Sequence, residues 1–416
     1  MRVLMGMPDR DSLGGPAACE PPFAEGLRAL GALVTEETYV YGERLGRTTL
    51  RQRVARVLRT ARSLRRRLRR EQFDIVHLNT SFDRMALLRD AATVRLLRPT
   101  RAKIFLKFHG SDAALFETRN PALRALVRFV LAGADGIGLL SSEERENFTR
   151  AGIDGRKLFV VKNVVAGADA VPPPDAATRA QDDEDKVSQP RAATRAQSDA
   201  DTVSSPDADA VSQPDTDALS QPGAASGAQA CAGEETPVLL FVARFIPAKG
   251  LADVLAACAI LRDEGRAFEL HCLGDGEARA AWEAEAARLG LQPRVRFHGY
   301  VPEAETAKFY AGSTMLVFPT YHYEGFPMVI FKSIAAGLPV ITTRIRAAAD
   351  YLSEPDNCLW TEPRNPRMLA DRIAHLLDRP DARARMRRRN LELARQFTAS
   401  SVAPEYLEIY NRLAKA

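Results

Sequence analysis

The order of apolar runs along this chain predicts an α/β protein with two parallel sheets, each layered by helices, and an acidic linker between them. Three observations carry that prediction. Short β-rich runs alternate with helical patterns before residue 166, and the same alternation restarts after residue 236. The 71 residues of 166–236 contain no Phe, Trp, Tyr, Ile or Met, so they lack the anchors of a core. Strand–helix alternation of this kind builds parallel sheets with helices on both faces. At 416 residues the chain also exceeds one ordinary core. Its 46% hydrophobic content and net charge of +5 exclude global disorder, collagen and a small disulfide scaffold.

In the first half, 2–7 is a buried-strand candidate. A Gly14-Gly15-Pro16 turn follows, then a helix through Phe23 to Leu33. Further strands are expected at 38–41, 73–78, 103–108, 136–140 and 158–161, with helices at 82–97, 120–133 and 142–151. The second half predicts strands at 238–242, 269–273, 295–297, 315–318, 339–342 and 359–360. Its helices are expected at 249–264, 277–289, 304–311, 327–336, 366–378 and 381–396. A last helix over 398–416 carries Tyr406, Leu407, Ile409, Tyr410 and Leu413 in one stripe, suited to packing back on the first domain. The expected domains are therefore 1–165, a low-complexity linker over 166–236, 237–397, and the returning helix 398–416.

The linker repeats itself. Ala176-Ala177-Thr178-Arg179-Ala180-Gln181 recurs at 192–197, and Val187-Ser188-Gln189-Pro190 returns three times in close variants. A unit this short is no folded solenoid, and without apolar anchors it cannot offset its ordering entropy. It holds 14 acidic and 4 basic residues, so +5 overall and −10 here leave +15 on the rest. Ten of those charges are arginines between Arg51 and Arg70. Val54, Val57, Leu58, Ala61, Leu64 and Leu68 recur between them at helical spacing. Such a helix packs by its stripe and leaves its arginines either merely solvated or seated on anionic lipid headgroups. Nucleic acid is disfavoured, because no aromatic residue interleaves the arginines.

Cys19, Cys231, Cys258, Cys272 and Cys358 form no CxxC pair, which argues against structural zinc or a disulfide framework and fits a reducing compartment. No apolar run reaches the length of a membrane span, and the first nine residues do not resemble a signal peptide, so a cytoplasmic protein is expected.

Four segments at strand ends carry chemistry. Arg244 and Lys249 lie five apart between a strand and a helix, the charge that a diphosphate ligand needs. Glu324-Gly325-Phe326-Pro327 precedes a helix closed by Gly337 and Pro339. A carboxylate there can grip sugar hydroxyls, and free N–H groups can receive phosphate. The alternative is an acid that only stabilises the helix dipole. His109-Gly110-Ser111 directly follows a strand, whereas His77 lies within an apolar run and reads as structural. Gly14-Gly15 after the first strand would let a backbone approach a ligand.

Together these segments resemble the retaining family-4 glycosyltransferases, which adopt the GT-B fold of two Rossmann-like domains facing across a cleft. Arg244…Lys249-Gly250, Gly274-Asp275-Gly276, the 295–299 run ending in His298-Gly299, Glu324-Gly325-Phe326-Pro327 and the 335–340 run containing Gly337 occur in family order. The resemblance implies that Arg244 and Lys249 hold the donor diphosphate and that Glu324 contacts donor-sugar hydroxyls. It places His109 beside the reacting sugar, acting through its ring or backbone, and Gly15 on the phosphate side. Gly299, Gly325, Phe326, Pro327 and Lys332 complete the donor site. It implies no metal and no cofactor beyond the nucleotide sugar. The Asp9/Asp11, Asp207/Asp209 and Asp215/Asp217 pairs are accordingly not read as metal ligands.

Two positions depart from the family. Lys332 stands where a second Glu usually contacts the donor ribose. Arg344-Ile345-Arg346-Ala347-Ala348-Ala349-Asp350 replaces a Gly-Gly turn that admits phosphate. Altered ribose recognition, a donor with an additional anionic group, and a non-catalytic relative each account for this. The expected activity is transfer of a sugar from a nucleotide diphosphate to a lipid-linked or saccharide acceptor with retention, in surface polysaccharide or lipopolysaccharide synthesis. The enzyme would be cytoplasmic and would touch the membrane through the arginine helix. A nucleotide-sugar epimerase or hydrolase and a non-catalytic binder are the alternatives.

Overall fold

A computed structural model of the chain describes residues 1–8, 14–39, 50–168 and 236–415. Among them, twelve strands form two six-stranded sheets, and every strand pair is parallel. The first sheet comprises β1 (Arg2–Met7), β2 (Leu33–Thr38), β3 (Ile75–Phe82), β4 (Lys103–Ser111), β5 (Gly136–Leu139) and β6 (Leu158–Val160), in the order β2-β1-β3-β4-β5-β6. Its helices are α1 (Gly15–Ala29), α2 (Leu50–Arg70), α3 (Arg84–Leu97), α4 (Pro121–Ala132) and α5 (Ser142–Arg150). The second sheet holds β7 (Val238–Val242), β8 (Glu269–Leu273), β9 (Val295–Gly299), β10 (Met315–Phe318), β11 (Val340–Thr343) and β12 (Cys358–Thr361), ordered β12-β11-β10-β7-β8-β9. Around it lie α6 (Leu251–Asp263), α7 (Arg279–Arg288), α8 (Glu303–Ala311), α9 (Met328–Ala335), α10 (Arg346–Tyr351), α11 (Pro366–Asp378) and α12 (Pro380–Ala394). A final helix, α13 (Ala399–Lys415), returns to α1, and both sheets belong to one compact unit.

Alternation within the strands sorts the core. In β1, Val3 and Met5 join Phe23 and Leu27 of α1, while Leu4 joins Val76, Leu78 and Leu106 on the other face. Tyr406 and Tyr410 of α13 are fully buried on the α1 side, with the Tyr406 and Phe23 rings 4.4 Å apart. α2 packs on α3 and buries Ala61 and Leu64, leaving Arg59, Arg62, Arg66, Arg69 and Arg70 exposed. Asp83 caps α3 by accepting from the Met85 and Ala86 N–H groups, each at 2.9 Å.

Three expectations need correction. The second strand is Leu33–Thr38, not 38–41: Gly31 (φ +82°) ends α1 early, and β2 begins at once. Its Glu36 and Glu37 sit on an edge strand, where alternating polarity hid the strand from an apolar-run reading. His109 is not beyond its strand; β4 continues through it to Ser111. The folded part also runs past residue 165, since Ala168 is buried. Residues 169–235, including Cys231 and the repeats, and the Asp9/Asp11 pair lie outside the described residues. No described helix is long and apolar enough to cross a membrane, and Cys19, Cys258, Cys272 and Cys358 are free and buried.

Candidate active site

In each sheet the strand order reverses beside the first strand, between β1 and β3 and between β7 and β10. Crevices that take ligands open at the carboxyl ends of strands around such reversals. The loops leaving β7 and β10 are stitched together there. The Tyr321 N–H donates to the Ala248 carbonyl at 3.0 Å, and the Tyr321 hydroxyl donates to the Pro247 carbonyl at 2.8 Å. Gly250 has φ +81°, and a Cβ on it would lie 2.4 Å from the Pro319 carbonyl oxygen, so only glycine fits.

This stitching brings two predicted residues into direct contact. Lys249 Nζ donates to Glu324 Oε1 at 2.5 Å, with the lysine largely buried and a fifth of the Glu324 side chain exposed. Lysine has three donor hydrogens and the carboxylate two oxygens, so capacity remains on both for a ligand. Arg244, whose charge acts on His322 together with those of Lys249 and Glu324, lines a cavity of about 500 Å³ with Ile246, Pro247, Ala248, Gly276 and Glu277. His322 lies nearby with its pKa lowered, by burial and then by Lys249.

The remaining donor-side expectations divide. Gly299 ends β9 (φ +71°) under the Arg279 guanidinium, which is tied to Asp275 and Glu283. Phe326 turns inward and stacks on Phe331 at 3.7 Å, so it anchors the loop. Pro327 precedes α9 as its N-cap residue. Lys332 of α9 bonds Glu303 at the start of α8, so the cation carries its own carboxylate.

From the first half, Gly15 opens α1 with its α-carbon against Met328 of α9: a Cβ there would meet Met328 Cγ at 3.2 Å. His109 directs its ring into the protein; the side chain is 4% exposed and Nε2 lies 2.8 Å from Asn79 Oδ1. Burial, with Lys107 adding to it, lowers its pKa and favours the neutral ring. Its carbonyl faces the other half, 3.2 Å from where a Cβ on Gly325 would be.

Beneath His109 lies a network that the sequence reading missed. Glu20 accepts from Lys107 Nζ at 2.6 Å and from Asn79 Nδ2 at 3.0 Å, all three fully or almost fully buried. Burial raises the Glu20 carboxyl, but Lys107 and His109 outweigh it and hold it well below the usual range. Cys19, Glu20 and His109 are close enough to share a metal ion. Lys107 already neutralises that carboxylate and burial pushes the Cys19 thiol up, so the donor set suits an ammonium better than a metal. A lysine within an apolar strand run and a glutamate within an apolar helix face were the available signals.

Two parallel α/β sheets, each flanked by helices and each reversing strand order beside its first strand, make up the two halves of a GT-B fold. The family described as glycosyl transferases group 1 matches residues 228–392, and glycosyltransferase family 4 matches 22–166. Between them the matches span most of the chain, which belongs to this GT-B glycosyltransferase family. A D-inositol 3-phosphate glycosyltransferase of Corynebacterium glutamicum (strain R) is 30% identical over 182 residues, 42% of this chain and 43% of that protein. The lipopolysaccharide core biosynthesis glycosyltransferase LpsE of Rhizobium meliloti is 30% identical over 176 residues, 42% of this chain and 50% of that protein. These matches thus span half or less of the curated relatives. Among solved structures, Anabaena Alr3699/HepE in complex with UDP superposes with a TM-score of 0.67 at 15% identity, covering 99% of this chain and all of that one.

Proposed function

We propose that this chain transfers a sugar from a nucleotide diphosphate donor to a lipid-linked or saccharide acceptor, with retained anomeric configuration. The observation that carries the reading is the Lys249–Glu324 pair, grouped with Arg244 around His322, with the His109 carbonyl of the other half presented to the same loop. Arg244 and Lys249 offset the charge that develops on the departing diphosphate, so no metal is required for that step. Glu324 accepts from donor-sugar hydroxyls through the oxygen capacity that Lys249 leaves. The acceptor hydroxyl attacks from the face the nucleotide leaves, and the leaving phosphate takes its proton. Assembly of a surface polysaccharide or lipopolysaccharide suits these parts, in line with the LpsE similarity.

We also assign the arginine helix to a cytoplasmic membrane surface. Arg59, Arg62, Arg65, Arg66 and Arg69 line a cavity of about 700 Å³ with Leu58 and Leu96, and none has an acidic partner among the described residues. Anionic headgroups are the complement of that surface. Reversing these charges should abolish sedimentation with phosphatidylglycerol vesicles; unchanged sedimentation removes the assignment. For the main reading, a thermal-shift screen of nucleotide sugars identifies the donor, because a ligand bound only to the folded state raises the melting point. Transfer from that donor to a saccharide or lipid-linked acceptor panel then tests the activity. Donor hydrolysis or epimerisation without any acceptor would replace the reading with a hydrolase or epimerase. Binding without turnover would make the chain a non-catalytic relative.

A further inference from the structure

We propose that Arg346 is a clasp that joins the two halves across the cleft and positions the Glu324–Pro327 loop against the end of β4. Arg346 has φ +38°, a left-handed conformation that costs a non-glycine residue free energy and persists only where the surroundings impose it. Here the surroundings come from the other half of the molecule. The side chain, 3% exposed, reaches across to α5 and β4. Its Nη1 donates to Glu144 Oε1 at 3.0 Å, its Nη2 donates to the Ser111 carbonyl at 2.8 Å, and its Nε lies 3.5 Å from the Glu143 carboxylate.

Glu144 is built to receive it. The carboxylate is fully buried and also accepts from the Ser111 hydroxyl at 2.7 Å and the Leu140 N–H at 3.0 Å. Burial raises its pKa, opposed chiefly by Arg346, so the guanidinium is its principal charge partner. A second contact pins the far end of the same short helix: Asp350 Oδ2 accepts from the Ser142 N–H at 2.7 Å and Oδ1 from the Ser142 hydroxyl. α10 and the start of α5 are thereby held at two points, by charges of opposite polarity.

The clasp reaches the donor loop directly. The Ala347 N–H donates to the Gly325 carbonyl at 3.4 Å. A Cβ on Gly325 would lie 3.2 Å from the His109 carbonyl and 3.4 Å from Glu144 Oε1. Gly325 thus sits where the clasp, β4 and α5 converge, and Glu324 is the residue before it. Releasing Arg346 would free that alignment without unfolding the protein, because α13 still joins α1 through the buried Tyr406 and Tyr410. Arg346 acts through the loop, so it is a positioning residue.

Small-angle X-ray scattering of the full chain, isothermal calorimetry with uridine diphosphate, and transfer kinetics test the proposal on Arg346→Gly and Glu144→Gln. Glycine keeps the left-handed backbone, and glutamine keeps the size of the receiving side chain. We expect both variants to have a larger radius of gyration than wild type and a UDP affinity within about twofold of it. Transfer kcat should fall at least tenfold, and Arg346→Lys should recover part of it. An unchanged radius of gyration in both variants overturns the clasp. A larger radius with unchanged kcat overturns the positioning role. Should Arg346→Gly fail to fold, Glu144→Gln supplies the same readouts. The kinetic arm rests on the glycosyl-transfer reading. The scattering arm does not, so absence of any wild-type turnover sinks that reading and leaves the clasp to be decided.

Discussion

Two lysine–glutamate pairs, Lys107–Glu20 in the first half and Lys249–Glu324 in the second, differ in what surrounds them. Lys107 and Glu20 of the first half are 1% and 0% exposed, 2.6 Å apart. Asn79 also donates to that carboxylate, and the His109 ring lies 3.4 Å from it. Lys249 and Glu324 of the second half are 10% and 20% exposed, 2.5 Å apart, and with Arg244 they act on the His322 ring. The same pair of side chains therefore serves two ends. Where burial is complete and both carboxylate oxygens accept from buried donors, the pair fixes shape at the end of β4. Where burial is partial, hydrogen-bonding capacity survives for a ligand.

The comparison breaks first on stability. Glu20→Gln strands the Lys107 ammonium in the core and should cost about 3–5 kcal/mol in a denaturant melt, as breaking one side of a buried ion pair does. A loss below about 1 kcal/mol would show that the first pair is not structural. Next comes catalysis. Lys249→Ala and Glu324→Ala should each lower transfer roughly 10²–10³-fold, the scale of removing one charge-stabilising group. Their melting points should fall less than that of Glu20→Gln, because these side chains are 10% and 20% exposed and solvent reaches the charge left behind. Full activity in both variants would remove the site.

A smaller effect concerns pH. His77, which shares the Glu20 network, is pushed down to about 3 by burial, against an ordinary value of 6.5. As pH falls the unfolded chain binds this proton first. The contribution of His77 is thus complete above pH 6.5 and declines between 6.5 and 3. About 2 kcal/mol should be lost by pH 5, at roughly 1.4 kcal/mol per pH unit. Glu20, held low in the fold, withdraws its own contribution at still lower pH, in the same direction. Melts of His77→Phe across this range should show a flatter slope than wild type; a parallel slope would sink the assignment. The smallest effect is a control remote from both pairs. Asp83→Ala removes the α3 cap and should cost about 1 kcal/mol without touching transfer.

How much of this was legible depends on how local each feature is. The strands at 2–7, 238–242, 269–273 and 315–318 fall on the predicted residues, because a parallel strand buried on both faces reads as one apolar run. β2 was misplaced because an edge strand alternates, and α10 was missed because six residues carry too little periodicity. Among site residues, Arg244, Lys249 and Glu324 stood out as charges at strand ends. Glu20, Asn79 and Lys107 did not, since each is unremarkable until the fold sets it against the others.

The sequence alone determined two parallel sheets, an intervening acidic segment, and a family whose donor-side residues could be named in order. Those properties follow from burial patterns and short spacings, which a linear reading registers. Only the tertiary structure decided what the two departures do. Lys332 finds Glu303 across 29 positions, and Arg346 finds Glu144 across 202. An ion pair depends on which side chains the packed core brings within a few ångströms, and charge order along the chain does not specify that distance.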